Sequence, residues 1–318
     1  MRRTAILVLG VLLVPASVLA AGGEGFLAGR QSLQWPRHTI EGYGGGVFTP
    51  SAYLINPGEK CPLLSCPAAS VYYVGGWFDR SRKEIMGFAV SETFLWGRLE
   101  FSYALNRLDL GTLPHATEKV LGNNINEKEL HLHHWNLRGL VLPENSWGIP
   151  VPAVTLGVHF KYNDGIEEIN DRLNVPLNVL GWDRDCGVDY TVTATKSFKF
   201  DPVPPFAVSV GMRSSNAVQI GYVGFADHRS ETVECNAIMF LTDWLSLSYE
   251  YRQKRDVLRP LPGVGVGGVL GGEQDWHGVN LGFRITNNLS ADLGVLFLGD
   301  LANSSGNGAA SIRVTWMF

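Results

Sequence analysis

From about residue 69 to the end, apolar and polar positions alternate one for one, over and over. In the stretch 154–162, Val154, Leu156, Val158, Phe160 and Tyr162 fall on one side, and Thr155, Gly157, His159 and Lys161 on the other. Side chains alternate faces along a strand, so each such stretch predicts a strand with one apolar and one polar wall. The same rhythm sets Leu99, Phe101 and Tyr103 against Arg98, Glu100 and Ser102, and Phe206, Val208, Val210 and Met212 against Ser209, Gly211 and Arg213. It sets Leu245, Leu247, Tyr249 and Tyr251 against Ser246, Ser248, Glu250 and Arg252. It returns in Val279, Leu281, Phe283 and Ile285, and again in Leu289, Ala291, Leu293, Val295 and Phe297. The pattern predicts about twelve strands, over 69–78, 83–91, 96–105, 130–141, 152–162, 188–198, 205–214, 231–241, 244–252, 275–285, 288–298 and 308–318. Residues 43–49 and 217–224 would add a pair, which makes fourteen the alternative.

The connections alternate in length. Residues 92–95, 242–243 and 286–288 are tight, whereas 106–129, 163–187, 215–230 and 253–274 are long. Short turns at one end and long loops at the other mark an outer-membrane barrel, with the short turns periplasmic. An even strand count places both chain ends on that side. Residues 165–173 predict a short amphipathic helix, and the Gly- and Pro-rich run 253–274 predicts mobility.

Three features favour lipid over water. The apolar wall is unbroken across most strands. Aromatic residues gather at strand ends, with Trp96, Trp147, Phe198, Phe206, Trp244 and Trp316 at the short-turn level. Trp77, Tyr162, Tyr190, Tyr251 and Trp276 fall at the loop level, as two headgroup belts require. Finally, Ile312, Val314, Trp316 and Phe318 alternate up to the last residue. This resembles the C-terminal strand signature read by the bacterial barrel-assembly machinery, so Val314, Trp316 and Phe318 are expected to act as an assembly signal. Closing a sheet leaves no unpaired backbone edge in the bilayer. The expected fold is an all-β, transmembrane, antiparallel up-and-down β-barrel, bathed in outer-membrane lipid.

The first twenty residues read as a signal peptide, with Arg2 and Arg3 before an apolar run and Val18-Leu19-Ala20 as the cleavage site. Residues 21–68 show no strand pairing and are expected to lie under the barrel or enter its lumen, leaving 69–318 as the barrel. The chain carries 26 basic and 30 acidic residues, and loss of Arg2 and Arg3 leaves 24 against 30, a net of −6. With no basic excess or basic block, a nucleic-acid partner is excluded. Cys61 and Cys66 flank four residues in an oxidising compartment and are the disulfide candidate; Cys186 and Cys235 could pair only if their strands meet.

The candidate chemistry lies in the lumen. The polar wall places Arg98, Arg138, Lys161, Arg213, Arg252, Arg284 and Arg313 inside, against Glu100, Asp189, Glu234, Glu250 and Asp292, with His134 and His159 among them. Their near balance argues against strong ion selectivity and for paired charges that hold the barrel or partly fill it. Barrels of eight strands are filled by side chains and those of sixteen are open, so a narrow pore and a plugged one are both compatible with twelve.

His131 and His133 share a strand face, but a metal needs a third ligand, from His115, Glu127 or Glu129. The plainer reading is a polar ring above Trp135, so no metal and no cofactor is assigned. A His at the lipid face also fits an acyl-transfer site, yet no Gly-x-Ser-x-Gly elbow accompanies it, so no catalytic residue is assigned.

The stretches 41–54 (EGYGGGVFTPSAYL), 157–165 (GVHFKYNDG) and 249–254 (YEYRQK) resemble a group of uncharacterised proteobacterial outer-membrane proteins, a domain of unknown function. The resemblance implies fold and location only. The expected function is a narrow channel or facilitator for small solutes. The alternative is a non-conducting barrel that is structural or binds a partner through its loops; a lipid-modifying enzyme is the remaining one.

Overall fold

The computed structural model describes residues 37–56, 63–78, 81–111, 118, 127–172, 177–255, 274–301 and 304–318. The signal-peptide residues, Cys61, His115 and most of the 253–274 loop lie outside this set. Twelve antiparallel strands close into a barrel. They are β1 (Ala68–Phe78), β2 (Ser81–Phe94), β3 (Leu99–Asp109), β4 (Glu129–Leu142), β5 (Ala153–Asp164), β6 (Cys186–Phe200), β7 (Val203–Ala217), β8 (Phe225–Phe240), β9 (Leu245–Arg252), β10 (Trp276–Arg284), β11 (Leu289–Phe297) and β12 (Ser304–Met317). Each strand pairs with its sequence neighbour, and β12 returns to β1 with Tyr72 opposite Arg313 and Ser70 opposite Thr315. The fourteen-strand alternative does not form. Residues 44–45 pair with 37–38 in a small ribbon inside the barrel, Gly45 bridges Pro50, and residues 218–221 make one helical turn. The glycine run 44–46 turns the first stretch, and left-handed Gln219 and Ile220 turn the second.

The burial pattern is the reverse of a water-soluble barrel. On β5, His159 and Lys161 are 0 % exposed, while their neighbours Val158 and Phe160 are 40 % and 41 % exposed. Around the ring, Leu247, Leu281, Leu293 and Ile312 stand side by side in register, all exposed. Charge inside and a continuous apolar band outside suit lipid as the surrounding solvent. The protein is therefore a β-barrel of the bacterial outer membrane. Exposed Trp96, Trp147, Trp244 and Trp316 ring the short-turn end. Trp276 departs from the expected belt. It starts β10 on the inward parity and is buried against Phe48, with ring centroids 5.7 Å apart.

At the long-loop end, helix α1 (Ile166–Arg172) buries Ile166 and Ile169 with Leu110, Leu130, Leu177, Trp182 and Val218. A short strand, Trp182–Arg184, adds to the start of β8.

The three described cysteines, Cys66, Cys186 and Cys235, are free thiols. Cys66 is exposed, and Cys61, its expected disulfide partner, lies outside the described residues. Cys186 and Cys235 cannot meet. Cys235 faces Val210 and, through it, Ala194, eight positions along β6 from Cys186, or about 26 Å of strand.

Candidate functional site

The lumen is occupied by the chain itself. Residues 37–55 run through it and are almost all buried. The segment folds back on itself: Thr39 N–H donates to Tyr43 O (2.7 Å), and Gly46 N–H to Thr49 O (2.9 Å). Two glycines are required by this geometry. Gly42 has φ +94° and rests on Ala104, and a Cβ on Gly46 would lie 2.3 Å from the Glu250 carboxyl carbon.

The wall binds this segment mainly through its backbone. Glu250 accepts the N–H groups of Val47 (2.6 Å), Phe48 (3.0 Å) and Thr49 (3.0 Å), the Thr49 hydroxyl (2.8 Å) and the Asn280 amide (2.8 Å). Glu100 accepts Ile55 N–H (2.6 Å) and Gly44 N–H (3.3 Å) and pairs with Arg138 (3.3 Å). The carbonyls are served by side-chain donors: Asn106 to Ile40 O (2.8 Å), Asn136 to Glu41 O (2.8 Å), Asn236 to Pro50 O (3.0 Å) and Arg138 to Gly44 O (3.1 Å). Arg313 donates to His38 O and Gly46 O. Buried backbone groups must be paired, and here the lumen charges pair them.

The segment also contributes a charge. Glu41 meets Lys161, Arg252 (2.7 Å), Arg213 (3.3 Å) and the Tyr43 hydroxyl. Asp189 bridges Lys161 (2.7 Å) and Arg213 (2.9 Å), and Glu234 bridges Arg213 (2.5 Å) and Arg252 (3.2 Å). Lower down, Asp292 pairs with Arg313 (3.1 Å) and with Arg37. Apolar Ile40, Val47 and Phe48 pack on Tyr72, Ala89, Ala104, Leu132, Trp276 and Leu296. A cavity of about 50 Å³ remains between the segment and a mixed wall that includes Thr195, Ala207, Ser209, Asn236, Ile238 and Glu250, enough for a few waters and no more.

The expected lumen residues Glu100, His134, Arg138, His159, Lys161, Asp189, Arg213, Glu234, Glu250, Arg252, Asp292 and Arg313 all point inward and are buried. Arg98 is buried in the turn before β3. Arg284 is the correction: it has inward parity but sits at the rim and donates to Asn287 of the adjacent turn (2.8 Å). His159 bonds Asn136 and Thr191 and lies against the Tyr43 ring, 4.6 Å between centroids. Arg37, Glu41, Tyr43 and the inward asparagines were not anticipated. The asparagines share the inward parity of the charges, and the glycine density at 42–46 signals a backbone pressed against a wall.

His131 and His133 face outward near the loop end. His133 shares a hydrogen bond with the Tyr103 hydroxyl (2.9 Å) and stacks on Trp135, and His131 lies 3.3 Å from Asp164. Among the described residues no group of three His, Cys, Asp or Glu side chains is arranged to hold a metal.

One contact at the segment's lower end lies outside the strands. Glu144, in the turn after β4, accepts the Tyr53 hydroxyl (2.6 Å), with Ser197 N–H and Oγ (both 2.8 Å) and Lys196 (3.3 Å) beside it. Burial pushes its carboxyl up, but these partners outweigh burial and hold it below its ordinary 4.5. A lowered carboxylate stabilises the fold above its ordinary value and loses that contribution as pH falls through the lowered one. Glu144→Gln is therefore expected to flatten the acid side of the stability profile, read as the urea midpoint of the folded barrel between about pH 6 and pH 3.

The model of the DUF3034 family, a protein family of unknown function, matches residues 37–312. The chain belongs to the DUF3034 family. The matched span opens on Arg37, the first described residue of the lumen segment, so the segment is part of what defines DUF3034. A search of curated proteins finds no match. Among solved structures, the KdgM porin is 10 % identical, over 78 % of this chain and 99 % of its own, with a TM-score of 0.44. An outer-membrane channel from Pseudomonas putida F1 is 10 % identical, over 82 % and 97 %, at 0.43. The outer membrane phospholipase dimer of Salmonella typhi with bound calcium is 8 % identical, over 81 % and 93 %, at 0.40. Porin and phospholipase resemble the chain to a similar degree, so the function of this DUF3034 protein is read from its own lumen.

Proposed function

We propose that this DUF3034 protein is a porin-like outer-membrane channel for small solutes, held shut by its own residues 37–55, and not an enzyme. One observation carries the reading. The ring of strands is complete without the segment, which sits on a hydrophilic wall chiefly through polar contacts. Taking the segment away leaves a closed barrel with a charged, wettable lumen. Water and a polar solute would then replace the backbone groups that the wall now binds. The polar interior residues are therefore the lining of a path, and the segment is its stopper.

The test is planar-bilayer conductance of the refolded chain beside a variant lacking residues 37–55, with heat-modifiable gel migration as the folding control. The native chain is expected to be silent or to open briefly, and the deletion to give stable, discrete steps. A folded but silent deletion variant would overturn the channel. It would favour a second reading, a non-conducting barrel acting through its loops. The inward-folded residues 218–224 support that reading, since Ile220 and Tyr222 join the buried cluster around Phe48.

A further inference from the structure

Lys161, Arg213 and Arg252 converge on Glu41 inside the lumen and are 0 %, 1 % and 4 % exposed. The wall answers these three cations with two carboxylates, Asp189 and Glu234. One positive charge is left over, and the wall does not neutralise it. Glu41 does, and Glu41 belongs to the segment. In a lumen emptied of the segment this uncompensated charge would be hydrated and would attract an anion to the place Glu41 leaves.

The geometry also says which kind of anion. Glu41 does not sit as a point charge. Its Oε1 is taken by Lys161, and its Oε2 by Arg252, Arg213 and the Tyr43 hydroxyl. The cluster thus holds two oxygens of one planar group from different sides, through one ammonium and one nitrogen of each guanidinium. We propose that Lys161, Arg213 and Arg252 form a carboxylate-binding site of the open lumen, which Glu41 occupies in the shut state, and that the solutes of this channel are small carboxylates. The solute class rests on the channel reading above; the site itself does not.

The experiment separates the two. Glu41→Ala removes the resident carboxylate and leaves room for acetate. Its urea midpoint, in detergent or lipid, is compared in sodium acetate and sodium chloride at equal ionic strength. A site with a Kd near 10 mM would shift the unfolding equilibrium about tenfold at roughly 100 mM acetate. The native chain, whose site is filled, should show no preference. Equal stability of Glu41→Ala in the two salts would overturn the site. Should Glu41→Ala refold in neither salt, the variant lacking residues 37–55, whose site is empty, takes the same comparison with the same two outcomes. The variant lacking 37–55 then tests the solute class through its reversal potential in a potassium acetate gradient. Preference for acetate supports the proposal, and preference for potassium overturns it. A silent deletion variant together with an acetate-stabilised Glu41→Ala would keep the site and remove the transport.

Discussion

Glu250→Ala is expected to destabilise the folded barrel more than any other single change in the lumen. The carboxylate accepts three consecutive backbone N–H groups, the Thr49 hydroxyl and the Asn280 amide, all without contact with bulk water. Its removal strands those donors, and each unsatisfied donor costs about 1–3 kcal/mol. The cavity beside Glu250 admits water that restores part of the loss. A net cost of roughly 3–5 kcal/mol follows once water re-pairs part of these donors. The urea midpoint reports it, with Ser209→Ala, on the same cavity, as the small control. Glu250→Gln should fall between, because an amide oxygen still accepts but its NH2 opposes the N–H groups it faces. The same variants should loosen the segment, so Glu250→Ala is also expected to show longer and more frequent channel openings than the native chain. An unchanged midpoint would mean that Glu250 does not hold the segment.

Leu281→Arg is the second large effect. Leu281 lies near the middle of β10, faces outward and is flanked in register by Leu247 and Leu293. If the band meets lipid, an arginine there costs about 2–4 kcal/mol near the bilayer midplane. In water the same exposed position would tolerate it within about 0.5 kcal/mol. Refolding into liposomes with a urea midpoint decides between the two, and Leu63→Arg, exposed outside the strands, should be nearly neutral. A tolerated arginine at Leu281 would contradict a lipid-facing wall.

The strands could be read directly because their signal is local. Alternation with a period of two needs only a window of nine or ten residues, and lipid on one side makes the contrast between walls sharp. The inward parity of Lys161, Asp189, Arg213 and Glu250 follows from the same rule. Rim positions escape it: Arg284 has inward parity but lies where the ring opens into a turn, so solvent and Asn287 claim it. Trp276 escapes it in the other direction, because at a strand end an aromatic suits a headgroup belt as well as a packed lumen, and Phe48 decides.

What the sequence determined by itself is the barrel, its strand count, its membrane and the polar character of its interior. What only the tertiary structure decided is that this interior is full. The segment 37–55 has no periodicity, because its hydrogen bonds go to its own turns and to side chains of the wall, and not to a strand of the barrel. Its partners are remote, with Glu250 standing 203 positions from Val47 and Arg213 standing 170 from Tyr43. A count of inward charges shows near balance, and it cannot show that Lys161, Arg213 and Arg252 gather round Glu41 with only Asp189 and Glu234 of the wall beside them. That follows only when strands β5, β7 and β9 are brought round the same axis, since burial is a property of the closed ring and of no stretch of chain alone.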